Sequence, residues 1–187
     1  MVGVAGQPHN FIIDTSLVII LNLQSIITSW VSSMSDNEVL NVEKSKMLNE
    51  LFVSRMVGQQ DTDITTSPGL FVRILRTGAS GSVLRSVTEH IPKLIVVEAV
   101  GSDTTNFAKL VRKKHLSGKQ TEELNDLTAL WKELRVFFNW DEALVNDWIK
   151  SSLPALDGET PEALMGSQYG RDAVRGILDI MRYGEFA

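Results

Sequence analysis

Helix punctuation is the feature that most restricts what this chain can fold into. Ser67-Pro68 pairs an N-cap with a first-turn proline, Ser117-Gly118-Lys119-Gln120 forms a Ser-x-x-Gln capping box, and Thr160-Pro161 repeats the cap-and-proline device. A Ser or Thr oxygen accepts from the unpaired N–H groups of a first helical turn, and proline leaves no such group there to satisfy. Between these marks, apolar residues recur three and four apart, the period of one helical face. Leu70, Phe71, Ile74 and Leu75 make a face that Gly78 terminates. Ser80 or Ser82 opens a second helix with Val83, Leu84, Val87 and Ile91 inward, and Pro92 begins a third from Lys93 to Val100. The capping box opens a long helix to about Phe138, striped by Leu124, Leu127, Trp131, Leu134 and Phe138. That stripe is expected to be core, and spacing alone does not say whether it also extends across a homodimer seam. The fold expected is all-α.

The helical pattern continues to the end. Asn139 is placed to cap a helix with Glu142 at its third position and Ala143, Leu144, Trp148 and Ile149 inward. Leu153 to Leu156 is expected as an extended or turn segment, because Pro154 biases its predecessor away from helix, and Asp157-Gly158 makes a turn. Pro161 to Leu164 starts a short helix ending near Gly166. A last helix, about Gln168 to Met181, is expected to bury Tyr169, Ala173, Val174, Ile177, Leu178 and Met181 and to turn out Arg171, Asp172, Arg175, Asp179 and Arg182.

The organisation expected is an apolar N-terminal extension over 1–33, a helix and polar linker over 34–66, a helical region with a helix-turn-helix over 67–138, and a small helical domain over 139–187. Phe11 to Val31 nearly reaches the roughly 20 apolar residues of a membrane span. Asp14, Asn22 and Gln24 would be costly in hydrocarbon, and no Lys or Arg precedes the run. It reads as an extension foreign to the native protein, a helix packed on the body, or a membrane attachment, in that order; no membrane partner is expected. Met34 is a candidate start, because Ser35-Asp36-Asn37-Glu38 is a capping signature opening a helix through Leu40, Met47, Leu48, Leu51 and Phe52. Gln59 to Ser67 reads as linker.

Charge divides the chain into two surfaces. Between residues 93 and 119 six basic residues face two acidic ones, whereas from 139 to the end nine acidic residues face four basic ones. The whole chain carries -5, so it is not a protein that coats nucleic acid indiscriminately. Gly101 is placed as the turn of a helix-turn-helix, with Val96, Val97, Val100, Phe107 and Leu110 buried to hold two helices at a fixed angle. A second helix starting at Asp103 or Thr104 would present Thr104, Thr105, Asn106, Lys109, Arg112, Lys113 and Lys114, short polar tips for base edges followed by cations for phosphates. The plainer reading is a helical hairpin with a solvated basic face.

Catalytic patterns are sparse. His9, His90 and His115 lie in separate segments without ligand-spaced partners, so no metal is expected. There is no Walker-type loop, and Gly78 to Ser82 lacks the second glycine of a nucleophile elbow at the required place and lies between two helices, so it reads as a turn. Asp157 and Glu159 fit a solvated turn. The chain has no cysteine, which excludes thiolate chemistry and agrees with a reducing compartment, so a cytoplasmic location is expected. No enzyme activity and no cofactor are expected.

The closing stretch carries a resemblance. Leu153-Pro154-Ala155-Leu156-Asp157-Gly158-Glu159-Thr160-Pro161-Glu162-Ala163-Leu164, then Tyr169-Gly170-Arg171 and Gly184-Glu185-Phe186-Ala187, is similar to the C-terminal toxin-binding domain of the Xre/MbcA/ParS antitoxin family. Leu116-Ser117 through Leu124, Leu127 and Phe137-Phe138 resembles that family's central helix. The resemblance implies a type II antitoxin whose C-terminal domain neutralises a RES-class toxin that degrades NAD, with the tail at the toxin's active-site entrance. It also implies an Xre-type regulator that represses its own operon at operator DNA and forms a homo-oligomer. Toxin contacts are then expected from Arg171, Arg175, Arg182, Tyr183, Gly184, Glu185, Phe186 and Ala187, with Phe186 and the adjacent carboxylate as an anchor. The alternative is a helical transcription regulator whose C-terminal domain serves only for oligomerisation or another protein contact.

Overall fold

In the computed structural model, residues 38–58 and 67–184 are described. The chain divides into two units, 1–40 and 41–187, and the architecture below is that of the second. The expectations for residues 1–33, the capping signature up to Asn37, the linker up to Thr66, and Glu185, Phe186 and Ala187 lie outside the described residues. Among the described residues there is helix and turn but no strand, as the capping and periodicity predict. None of their helices is long and apolar enough to cross a membrane.

Helix α1 occupies residues 38–57. It is followed by α2 (Pro68–Thr77), α3 (Val83–Val87), α4 (Lys93–Ala99), α5 (Phe107–Val111) and α6 (Gly118–Phe137). Next come α7 (Glu142–Ile149), a 3-10 turn at Pro154–Leu156, α8 (Pro161–Leu164) and α9 (Gln168–Tyr183). The caps sit where the sequence places them. Ser67 Oγ accepts from the Leu70 N–H, and Ser117 and Gln120 exchange both bonds of the capping box. Thr160 caps α8 through the Ala163 N–H.

The core is assembled on α6, against which α2, α4, α7 and α9 pack. Of the expected stripe, Leu124, Leu127 and Leu134 are fully buried, Trp131 nearly so and Phe138 half-buried, and Leu130 joins them in the core. Leu48, Phe52 and Met56 bring α1 into the same core, and Arg55 fastens it to α6 by donating to Asn125 Oδ1 at 2.9 Å. Val83, Leu84, Val87 and Ile91 are all buried as expected.

The junction after α6 departs from expectation. Asp141, not Asn139, is the N-cap of α7, its Oδ1 accepting from the Ala143 and Leu144 N–H groups at 2.9 and 3.1 Å. Asn139 and Trp140 instead adopt left-handed φ values of 52° and 65°, uncommon for residues with a side chain. The Trp140 N–H donates to the Arg135 carbonyl at 2.6 Å, and its ring lies 4.7 Å from the Arg135 guanidinium. Arg135 in turn donates to the Met56 carbonyl near the end of α1 and to Glu142 Oε1 at 2.9 Å. The later start rotates α7, so that Val145 and Ile149 are buried, Trp148 is half-buried, and Ala143 and Leu144 face solvent.

If α6 is the centre of the core, Leu127→Ala leaves a cavity where every neighbour is already packed. The expected loss is about 3 kcal/mol of unfolding free energy by urea titration, with the denaturant slope unchanged.

Candidate functional site

Two surfaces were expected to work, and the structure builds them differently. In the first, Val96, Val97, Val100, Phe107 and Leu110 are buried on either side of Gly101, whose φ of 61° is the left-handed geometry that glycine adopts at no steric cost. The second helix is shorter than expected. Residues 104–106 form a turn, and α5 runs only from Phe107 to Val111. Asp103 caps this turn, as expected, and its carbonyl accepts from the Phe107 N–H at 2.9 Å. Its Oδ1 accepts from the Asn106 N–H and its Oδ2 from Asn106 Nδ2, both at 2.7 Å, the first being the bond by which a cap holds a first helical turn. The same Asn106 bonds, the side-chain one foremost, hold the Asp103 carboxyl below the usual carboxylate range.

Thr104, Thr105, Asn106, Lys109, Arg112, Lys113 and Lys114 are all exposed. Lys109 Nζ donates to Asn106 Oδ1 at 2.9 Å, which ties the two polar tips together. Beside them runs a groove lined by Arg85 and Thr88 at the end of α3, Lys93 at the start of α4, and Thr104 and Arg112. Lys93 Nζ sits 5.7 Å from the centre of the Phe107 ring. Arg85 and Lys93 were missed from the sequence because they belong to other helices. The available signal was their place off the buried face that Leu84, Val87 and Ile95 set by spacing.

The second surface is turned around relative to expectation. Arg171 is fully buried. Its Nε donates to Asp126 Oδ2 at 2.5 Å, its Nη2 to Glu123, and its Nη1 to the Met165 carbonyl at 3.1 Å. Arg175 donates to Asp126 Oδ1 at 2.6 Å and pairs with Glu133 at 3.4 Å and Asp172 at 3.2 Å. Arg182 remains exposed, reaching the Glu133 carbonyl at 3.4 Å with its guanidinium 5.5 Å from the Phe137 ring. Arg171 therefore offers no surface to a partner, which corrects its assignment as an outward contact, and Arg175 is mostly committed to α6. A buried guanidinium needs every donor paired, and the α6 carboxylates are what pair it.

Glu123, Asp126 and Glu133 were not singled out in the sequence. Their spacings of three and seven on α6 match those of four and seven between Arg171, Arg175 and Arg182 on α9, the trace of two helices laid side by side. At its start α9 sits close on α8, where a Cβ on Gly170 would overlap the Leu164 carbonyl. Val174 and Leu178 are buried and Ile177 is half-buried, as expected. Tyr169, Ala173 and Met181 are exposed instead, because pulling Arg171 inward rotates the helix. The helix also runs on to Tyr183, which is exposed, as is Gly184 after it. Among the described residues no three His, Asp or Glu side chains are grouped to hold a metal ion.

Burial pushes the Asp126 carboxyl up, but hydrogen bonds from Arg171 and Arg175 and their charges outweigh it and hold it below the ordinary range. A depressed folded-state value means that the stabilisation is present above the unfolded value of about 3.9 and is lost as pH falls through the folded value. Asp126→Asn is therefore expected to destabilise the protein at neutral pH. The gap to the wild type should close in acid, as read from thermal melts between about pH 7 and pH 2.

Among known families, residues 127–184 match the antitoxin Xre/MbcA/ParS C-terminal toxin-binding domain. No curated protein matches the chain, and no solved structure does. The match opens inside α6 and runs through α7, α8 and the whole of α9, so it takes in all three arginines and Tyr183. Residues 127–184 thus belong to the family of Xre/MbcA/ParS antitoxin C-terminal toxin-binding domains.

Proposed function

We propose that this protein is the antitoxin of a type II toxin–antitoxin system, binding and neutralising a toxin of the RES class, which degrades NAD, and repressing its own operon by binding operator DNA. The observation that carries the reading is the family match over 127–184, a domain type defined by toxin binding. The tail beyond α9, with Glu185, Phe186 and Ala187, is the part we assign to the toxin's active-site entrance. An aromatic side chain that enters an apolar pocket is the type of anchor that dominates protein interfaces. Arg182 and Tyr183 stand exposed at the base of this tail.

For the operator, the supporting feature is the exposed row on the turn before α5, on α5 itself at Lys109, and on the residues after it from Arg112 to Lys114. Thr104, Thr105 and Asn106 supply short polar tips, and Lys109, Arg112, Lys113 and Lys114 supply cations. Arg85 and Lys93 add two further cations beside Arg112. Phosphate neutralisation releases counterions, so binding of this kind weakens steeply with salt.

Two measurements test the reading. Removal of residues 185–187 is expected to abolish rescue of growth when the product of the neighbouring reading frame is co-expressed, while DNA binding is retained; full rescue by the truncated protein would falsify the tail's role. Arg112→Ala combined with Lys113→Ala is expected to weaken binding to the DNA upstream of the gene and to reduce the slope of log affinity against log salt by about 2. An unchanged slope would leave the α5 row as a solvated face.

A further inference from the structure

Helix α9 is apolar on two opposite sides. One side, through Val174 and Leu178, is buried against the core. The other is a line formed by Tyr169, Ala173, Gly176, Ile180 and Tyr183, at alternating spacings of four and three, which places all five within one narrow stripe. All five are exposed, Tyr169 at 91%, Ile180 at 59% and Tyr183 at 71%. The charged residues Asp172, Arg175, Asp179 and Arg182 gather on a single flank between the two sides, and Arg175 is turned toward α6. A contiguous apolar line on the outer side of a packed helix is the kind of surface that a partner covers.

Gly176 lies at the middle of the stripe. A Cβ built there meets no atom within 4 Å, so nothing inside the protein requires glycine. Glycine in the interior of a helix is unfavourable relative to alanine, and here the fold receives nothing in return. The space it leaves is a shallow notch between Ala173 and Ile180, facing outward.

We infer that the outward stripe of α9, with Gly176 as its notch, is the surface on which the toxin docks. This rests on the antitoxin reading and names the surface that serves it. Two observations select the toxin as the occupant. The toxin-binding family match spans the whole of α9. Of the large exposed hydrophobic residues within the matched segment, Val136, Leu144, Tyr169, Ile180, Met181 and Tyr183, four lie on this helix. From Tyr169 to Tyr183 the stripe is about 21 Å long. The ion pairs behind it fix the helix on α6 before any partner arrives, which lowers the ordering cost of binding.

The test compares the wild type with Ile180→Asp, Gly176→Ala and Leu144→Asp, using the full chain and the purified product of the neighbouring reading frame as the probe. Binding is measured by calorimetry, self-association by sedimentation and folding by thermal melts. Ile180→Asp is expected to stay folded and to weaken binding on the order of 100-fold. Gly176→Ala is expected to raise the melting temperature and yet weaken binding, a pairing that a purely structural glycine would not produce. Leu144→Asp, on α7, is expected to leave binding unchanged. Unaltered affinity in folded Ile180→Asp and Gly176→Ala overturns the inference and leaves the antitoxin reading standing. Loss of self-association in place of toxin binding overturns it in favour of a second copy. A wild-type protein that does not bind the probe overturns the antitoxin reading and the inference together.

Discussion

The position of α9 depends on one buried guanidinium. Arg171 has no exposed surface and is held between Glu123 and Asp126 of α6, with the Met165 carbonyl as a further acceptor. Removing such a group from water is costly, and the cost is met only when the geometry pairs each donor. The consequence is specificity of orientation. Once Arg171 is inside, the rotation of the whole helix about its axis is set, and with it the side that Tyr169, Ile180 and Tyr183 present.

That rotation changes the character of the C-terminal surface. A helix expected to turn its arginines out and its apolar residues in does part of the reverse. Arg171 and Arg175 bind the protein to itself, while aromatic and aliphatic side chains stand in solvent. The interface proposed on this surface would draw its affinity from apolar burial around a few aromatic anchors, and would leave the charges that remain outside, such as Arg182 and Asp179, to steer approach. The α5 surface is of the opposite kind. Its apolar residues, Phe107 and Leu110, are inside, and its exposed row is polar and cationic. The two surfaces suit partners of different chemistry, one apolar and one polyanionic.

Asp103 and Asp141 show how small polar residues decide boundaries. Each accepts from backbone N–H groups at the start of a helical turn, Asp103 where the pattern placed a cap and Asp141 two residues after it. At Asp103 the effect is to hold the turn that carries Thr104 and Thr105 ahead of α5. At Asp141 it is to rotate α7 so that Val145 replaces Leu144 in the core.

The sequence by itself determined the all-α fold, the caps at Ser67, Ser117 and Thr160, the stripe of α6, the burial around Gly101 and the exposure of the α5 cations. These follow from interactions between residues a few positions apart, whose spacing is visible in the chain. The family was legible for the same reason, in a run of consecutive residues from Leu153. Tertiary structure alone decided which side of α9 is outside. Arg171 looks like any surface arginine until Asp126, forty-five positions earlier, is brought against it, and no local pattern weighs a buried ion pair against the burial of Tyr169. Hydrophobic period finds the face a helix would bury if it packed alone; the charges of a neighbouring helix settled the face that α9 does bury.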